Sequence, residues 1–135
     1  MTRARMAIVV LAVLGAAILF AVVACGSGVV TLHEADNGGQ VLVYNGQVLV
    51  VELESNASTG YRWEVAEVDD VVLEQTGHEY QAGWFAVLSP GAGGKEVWQF
   101  LARSSGSTTL TLEYKPGYKE SAEPAGIFSV QVVVH

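Results

Sequence analysis

The chain has 135 residues and a formal net charge of −7, but it joins two unlike segments. Of the first 24 residues, 20 are apolar; the 111 from Cys25 onward carry all 14 acids and five of the seven bases, a balance of −9. That length makes one domain with a two-layer core, its acidity without a basic patch excludes nucleic-acid binding, and a single cysteine at Cys25 excludes an internal disulfide, a thiolate metal cluster and a cysteine nucleophile.

Thr2-Arg3-Ala4-Arg5 is a short positive start, followed from Met6 to Ala24 by 19 residues without a charge. Val22-Val23-Ala24-Cys25 closes the apolar run, and Gly26-Ser27-Gly28 turns it polar. A charged start, an apolar stretch and a small residue at the break describe an export signal. The ending, a small residue followed by Cys, resembles the lipobox of bacterial lipoproteins. That resemblance implies cleavage before Cys25 and a lipid on its thiol, which tethers the domain to a cell membrane or outer membrane, facing the periplasm or exterior. An uncleaved anchor and an incidental cysteine are the competing readings, since the run nearly reaches the ~20 residues that span a bilayer. Residues 1–24 are thus taken as the signal segment, 25–36 as the lipidated Cys25 and linker, and 37–135 as the folded domain.

The remainder reads as β. Strands are predicted at Val29–His33, Val41–Tyr44, Val48–Glu54, Tyr61–Glu67, Val71–Glu74, Phe85–Leu88, Glu96–Arg103, Thr108–Lys115 and Ile127–Val134. They are short, rich in β-branched and aromatic residues, and separated by turn signals. Asn45-Gly46 between two apolar runs predicts a tight hairpin. Leu110, Leu112 and Tyr114 alternate with Thr109, Thr111 and Glu113. Phe128, Val130, Val132 and Val134 alternate with Ile127, Ser129, Gln131 and Val133. The strand from Glu96 is apolar on most of both faces, the pattern of a central strand. Many short strands at roughly ten-residue spacing predict a sandwich or barrel.

Three stretches between strands carry the information. Asn56-Ala57-Ser58-Thr59-Gly60-Tyr61-Arg62-Trp63 combines a tight-loop composition with two aromatics that open a strand on alternate positions. Ser89-Pro90-Gly91-Ala92-Gly93-Gly94, with three glycines in four positions, gives a backbone that can approach another surface closely. Tyr114-Lys115-Pro116-Gly117-Tyr118-Lys119-Glu120 is a kinked loop with a cation and two aromatics. Taken singly, each also fits a plain surface turn, and Trp63 fits a core residue. The glycine stretch is no phosphate loop, because it lacks the Gly-Lys-Ser/Thr ending and precedes a strand.

In order and spacing, the three stretches resemble the chagasin family of cysteine-peptidase inhibitors. That family carries an Asn-Pro-Thr-Thr-Gly-Tyr-x-Trp loop, a Gly-x-Gly-Gly loop and an Arg-Pro-Trp loop on an immunoglobulin-like β-sandwich. The first motif is matched by Asn56, Ser58, Thr59, Gly60, Tyr61 and Trp63, with Ser58 a conservative change and Ala57 replacing Pro. The second is matched in full by Gly91, Ala92, Gly93 and Gly94, with Phe100 in the strand behind it. The third is degraded: Lys115-Pro116-Gly117 stands for Arg-Pro-Trp, with Tyr118 one place later. The resemblance spans about Val29 to Val134.

It implies an all-β, immunoglobulin-like antiparallel sandwich that inhibits papain-like cysteine peptidases. The loops fill the active-site cleft as a wedge, without reaction, metal or cofactor. Thr59 and Gly60 would approach the peptidase's catalytic cysteine. Gly91, Gly93 and Gly94 would lie along the substrate groove, and Pro116 and Tyr118 would pack on the opposite flank. Lys115 and Gly117 weaken two expected anchors. A wedge works as a monomer.

Two other classes compete. An enzyme would have to use His78-Glu79 with Asp69 or Asp70, but no nucleophile–base–acid set is recognisable, and an isolated His-Glu pair reads as a solvated loop. A non-inhibitory immunoglobulin-like binding module on a lipoprotein is permitted by fold alone; Trp84-Phe85 fits an exposed contact for it, and fits a core role better.

Overall fold

The computed structural model describes residues 20–21, 28–83 and 91–135. Two sheets face each other, and no α-helix occurs among the described residues. The first sheet contains, in spatial order, β1 (Phe20–Ala21), β3 (Gln40–Val43), β9 (Gly126–Val134), β8 (Gly106–Pro116) and β5 (Tyr61–Glu67). The second contains β2 (Val29–Leu32), β4 (Val48–Ser55), β7 (Gly94–Ala102) and β6 (Leu73–Ala82). The expected all-β sandwich is thus the fold observed.

Period-two alternation builds the core, because successive side chains point to opposite faces of a strand. Leu49, Val51 and Leu53 of β4 and Trp98, Phe100 and Ala102 of β7 point inward from the second sheet. They meet Leu110 and Leu112 of β8 and Phe128, Val130, Val132 and Val134 of β9. The expected central strand is β7, hydrogen-bonded to β4 on one side and β6 on the other.

Four details differ from the sequence expectations. The sheets are mixed rather than antiparallel throughout: β1–β3, β3–β9 and β2–β4 pair in parallel. Between β2 and β4 the chain crosses to the other sheet to make β3, and such a crossover lets the returning strand run parallel. For the same reason Asn45-Gly46 makes no hairpin. Its turn is real, with Gly46 at φ +94° and the Gln47 N–H donating to the Tyr44 carbonyl at 2.9 Å. However, it carries the chain between sheets, and its backbone bonds instead to Ala102 and His135.

The strand expected at Val71–Glu74 begins at Leu73 and runs on to Ala82. Val71 and Val72 belong to a turn whose Asp69 side chain accepts from the Val71 N–H at 3.0 Å. His78-Glu79 therefore lies on an edge strand rather than in a solvated loop. Its polar composition hid it because most of that strand's residues are exposed. The sandwich also starts ahead of residue 37: Val30 and Leu32 of β2 are buried in its core, within the stretch read as linker.

The strand expected at Phe85–Leu88, the pair Trp84-Phe85, Cys25 and all of the stretch 1–24 but Phe20 and Ala21 lie outside the described residues. No helix among the described residues is long and apolar enough to cross a membrane.

Candidate functional site

Strand register brings the three stretches together at one end of the sandwich. The first loop leaves β4 after Ser55 and enters β5 at Tyr61, so it bridges the two sheets. Ser55 pairs with Gly94, which sets the glycine loop beside it at the start of β7. Tyr61 pairs with Pro116, which sets the third loop on its other side at the end of β8.

The first loop is a single 3-10 turn, Ala57–Thr59, capped at both ends. The Asn56 side-chain oxygen accepts from the Ser58 N–H at 3.1 Å and the Ser58 hydroxyl at 2.6 Å. This is the local bonding that makes Asn a favoured cap. The Thr59 hydroxyl donates to the Asn56 carbonyl at 2.7 Å and accepts from the Tyr61 N–H at 3.2 Å. Gly60 closes the turn at φ +83°, in the left-handed region that costs other residues ~1–2 kcal/mol. Ala57 to Gly60 are all exposed.

Hydrogen bonds tie the loops to one another. The Asn56 side-chain amide donates to the Gly91 carbonyl at 2.9 Å, joining the first loop to the second. The Gly117 N–H donates to the Gly60 carbonyl at 2.9 Å, joining the first to the third. The Tyr118 ring leans on Gly60, where an added Cβ would stand 3.3 Å from its edge. At Gly94 an added Cβ would overlap the Gln81 carbonyl oxygen and stand 2.8 Å from the Ala82 Cα. Glycine at that position is thus required by the close approach of β6.

Beneath the loops lies a polar and aromatic base. The Trp63 indole donates to the Glu54 carbonyl at 2.9 Å, and the Tyr114 hydroxyl accepts from the Asn56 N–H at 3.0 Å. The rings of Trp63 and Tyr61 flank Tyr114, with centroids 5.1 and 5.5 Å away. Glu96 is buried just below, and one of its carboxylate oxygens accepts from Ser55 Oγ at 2.7 Å and the Trp63 N–H at 3.0 Å.

The side chains of the third loop are arranged unevenly. Pro116 is buried, and Lys115 Nζ donates to the Glu120 carbonyl at 3.1 Å, folding back over its own loop. Of its two aromatics, Tyr118 is the one that projects, 78% exposed. Arg62 lies over Gly117, where an added Cβ would come within 3.0 Å of its Nε. The position that resembles the family's Trp is therefore covered by an arginine from the neighbouring strand.

Ser55 and Glu96 thus join the site from outside the three stretches, and Arg62 and Tyr114, which lie inside the first and third, had no contact role expected of them. Arg62 was the unspecified position of the first motif. Glu96 could have been found by extending the alternation of Trp98, Phe100 and Ala102 one step back, which puts a lone acid on the core face. Among the described residues, no group of three or more His, Cys, Asp or Glu is placed to hold a metal.

Comparisons with known proteins bear on this arrangement. The cysteine protease inhibitor EhICP2 from Entamoeba histolytica superposes with a TM-score of 0.69 at 20% identity, covering 81% of this chain and 97% of that one. Amebosin gives 0.63 at 27% identity, over 78% of this chain and 97% of its own. PbICP-C, solved in complex with falcipain-2, gives 0.56 at 14% identity, over 87% and 98%. A search among curated proteins returns no match. The sequence profile of the chagasin family of peptidase inhibitors, class I42, matches residues 43–132, a span that takes in all three loops. The family is one of inhibitors, not enzymes, and the chain belongs to it.

Proposed function

We propose that the domain inhibits papain-like cysteine peptidases by seating its three loops non-covalently in the active-site cleft. The observation that carries this reading is the cross-bonding of the loops at one end of the sandwich. Through Asn56 and Gly117, both flanking loops are fastened to the first one. Loops already held in place have little conformational entropy left to lose on binding, which is how preorganised inhibitors gain affinity. The family membership and the inhibitor folds above support the same target class.

In this reading the exposed tip Ala57–Gly60 enters the cleft, with Thr59 and Gly60 nearest the peptidase thiol. Within the tip, the Thr59 hydroxyl and the backbone N–H groups of Ser58, Thr59 and Gly60 are engaged in internal hydrogen bonds. Such a tip blocks a nucleophile without offering it a scissile bond in attack geometry. The glycine loop admits the rim of the groove. On the opposite flank, Tyr118 and Arg62 stand in for the family's Trp and Arg, since Lys115 is folded back and Pro116 is buried.

The test is inhibition of papain by the domain and by Thr59→Glu. A charged, longer side chain at the tip is expected to lower affinity by a factor of about 100 or more, as burying an unpaired charge costs several kcal/mol. Equal inhibition by both would refute the placement. If the unmutated domain inhibits no papain-like enzyme, the binding-module reading replaces this one.

We further propose export and lipid attachment at Cys25, on the strength of the charged start, the apolar run and its small-residue–Cys ending. Mass spectrometry of the mature protein should find a chain that begins at an acylated Cys25. A retained Met1 or a free thiol there would contradict it.

A further inference from the structure

Among the described residues Glu96 is the one buried acid, 2% exposed, and nothing in the inhibitory chemistry above calls for it. A buried carboxylate is costly unless every oxygen is partnered. Its partners here come from three strands. Oε2 accepts from Ser55 Oγ at the end of β4 and from the Trp63 N–H near the start of β5. Oε1 lies 2.8 Å from His78 Nε2 on β6. The His78 ring is itself stacked on Trp98, centroids 3.8 Å apart and planes 14° apart. It sits in a groove between β5 and β6, lined by Trp63, Val65, His78 and Trp98 among others.

Ser55 and Trp63 flank the first loop, one on each strand. One carboxylate oxygen therefore closes the base of the segment 56–62, which joins one sheet to the other. Of the other base contacts, Tyr114 holds the loop at Asn56, and the Trp63 indole on β5 bonds the Glu54 carbonyl on β4, a second tie across the same base. The Glu96 contact fastens both strands to a third, β7, through a single carboxylate oxygen.

We propose that Glu96, oriented by His78, is the positioning residue of the first inhibitory loop. The proposal rests on the inhibitor reading above and adds to it a residue that touches no peptidase. Losing the acceptor leaves the Ser55 hydroxyl and the Trp63 N–H unpaired in a dry site, so the two strand ends shift to reach water, with the Trp63 indole–Glu54 bond the remaining tie between them. The tip then occupies a wider set of positions. A displacement of about 1 Å at a reacting or blocking group lowers the effect by up to roughly 100-fold.

Three variants test it: Glu96→Gln, Glu96→Leu and His78→Phe. Gln keeps an oxygen for Ser55 and Trp63 and can donate its amide to His78 Nε2, so inhibition of papain is expected to stay within about threefold. Leu fills the space but accepts nothing, and its inhibition is expected to weaken by about tenfold or more at a temperature where the melt shows it folded. Phe keeps the stacking on Trp98 but leaves Oε1 without its partner, with an intermediate loss expected.

Amide exchange gives the second readout. The Ser58, Gly60 and Trp63 amides are expected to exchange faster in Glu96→Leu, while those of β8 and β9 keep their rates. If Glu96→Leu inhibits as well as the parent and its loop amides are unchanged, the proposal is overturned and the inhibitor reading stands. If the parent does not inhibit papain, the inhibitor reading fails, and the exchange pattern still decides whether Glu96 positions the loop. Should Glu96→Leu not fold, His78→Phe carries the same test, and parent-like inhibition and exchange in it would overturn the proposal.

Discussion

At the residue scale, two glycines in the site are held for different reasons. Gly94 has no room for a side chain, because the backbone of Gln81 and Ala82 stands against it. Gly60 has a left-handed backbone and a flexible neighbour in Tyr118. Gly94→Ala is therefore expected to destabilise the domain by about 1–3 kcal/mol or to prevent folding, since backbone cannot step aside cheaply. Gly60→Ala is expected to cost about 1–2 kcal/mol and to loosen Tyr118. Thermal melts of the two variants check the order; Gly60→Ala being the more damaging would contradict it. The sequence showed that glycines were wanted here, but not which constraint each one meets, because the neighbours of Gly94 come from β6 across a sheet.

Cross-strand pairing matters at the element scale, where the charges of the second sheet meet. Lys95 on β7 donates to Glu52 Oε1 on β4 at 3.0 Å, and His33 Nε2 lies 3.4 Å from the same oxygen. The hydrogen bond from Lys95 holds the Glu52 carboxyl below its ordinary value of 4.5; partial burial pulls the other way, and His33 adds to the lowering. A lowered folded-state value means that the stabilisation is complete above the unfolded value. It is lost as pH falls through the folded one. The domain should thus lose stability on acidification below about pH 4.5, and Lys95→Met should lose less over that range. Urea unfolding from neutral pH down through that value measures both, and equal slopes would contradict the assignment.

The elements themselves were largely legible. Alternation placed β8, β9 and the central β7, and Tyr61–Glu67 matches β5 end to end. What alternation could not show was partnership. Asn45-Gly46 marks a turn, yet only long-range pairing decides that β3 bonds to β9 and β4 to β7 rather than to each other. The strand β6 was cut short for a related reason, since its exposed outer residues read as loop.

On the scale of the whole molecule, an apolar N-terminal stretch precedes an acidic domain of ordinary hydrophobicity. The domain's core spans both sheets, and the one buried acid among the described residues lies at the end where the loops gather. The loops were readable as motifs because each is continuous in sequence. Their mutual bonds were not, because Asn56 and Gly91 are 35 residues apart and meet only through the β4–β7 register.

The central claim is that this end of the sandwich covers a peptidase thiol without being cut. Alkylation of the papain active-site cysteine, in the presence of one equivalent of the domain, tests that claim most directly. The expected result is a thiol protected for the life of the complex and a domain recovered at its full mass. A thiol alkylated at its free rate, or a chain cleaved within residues 56–62, would contradict the account.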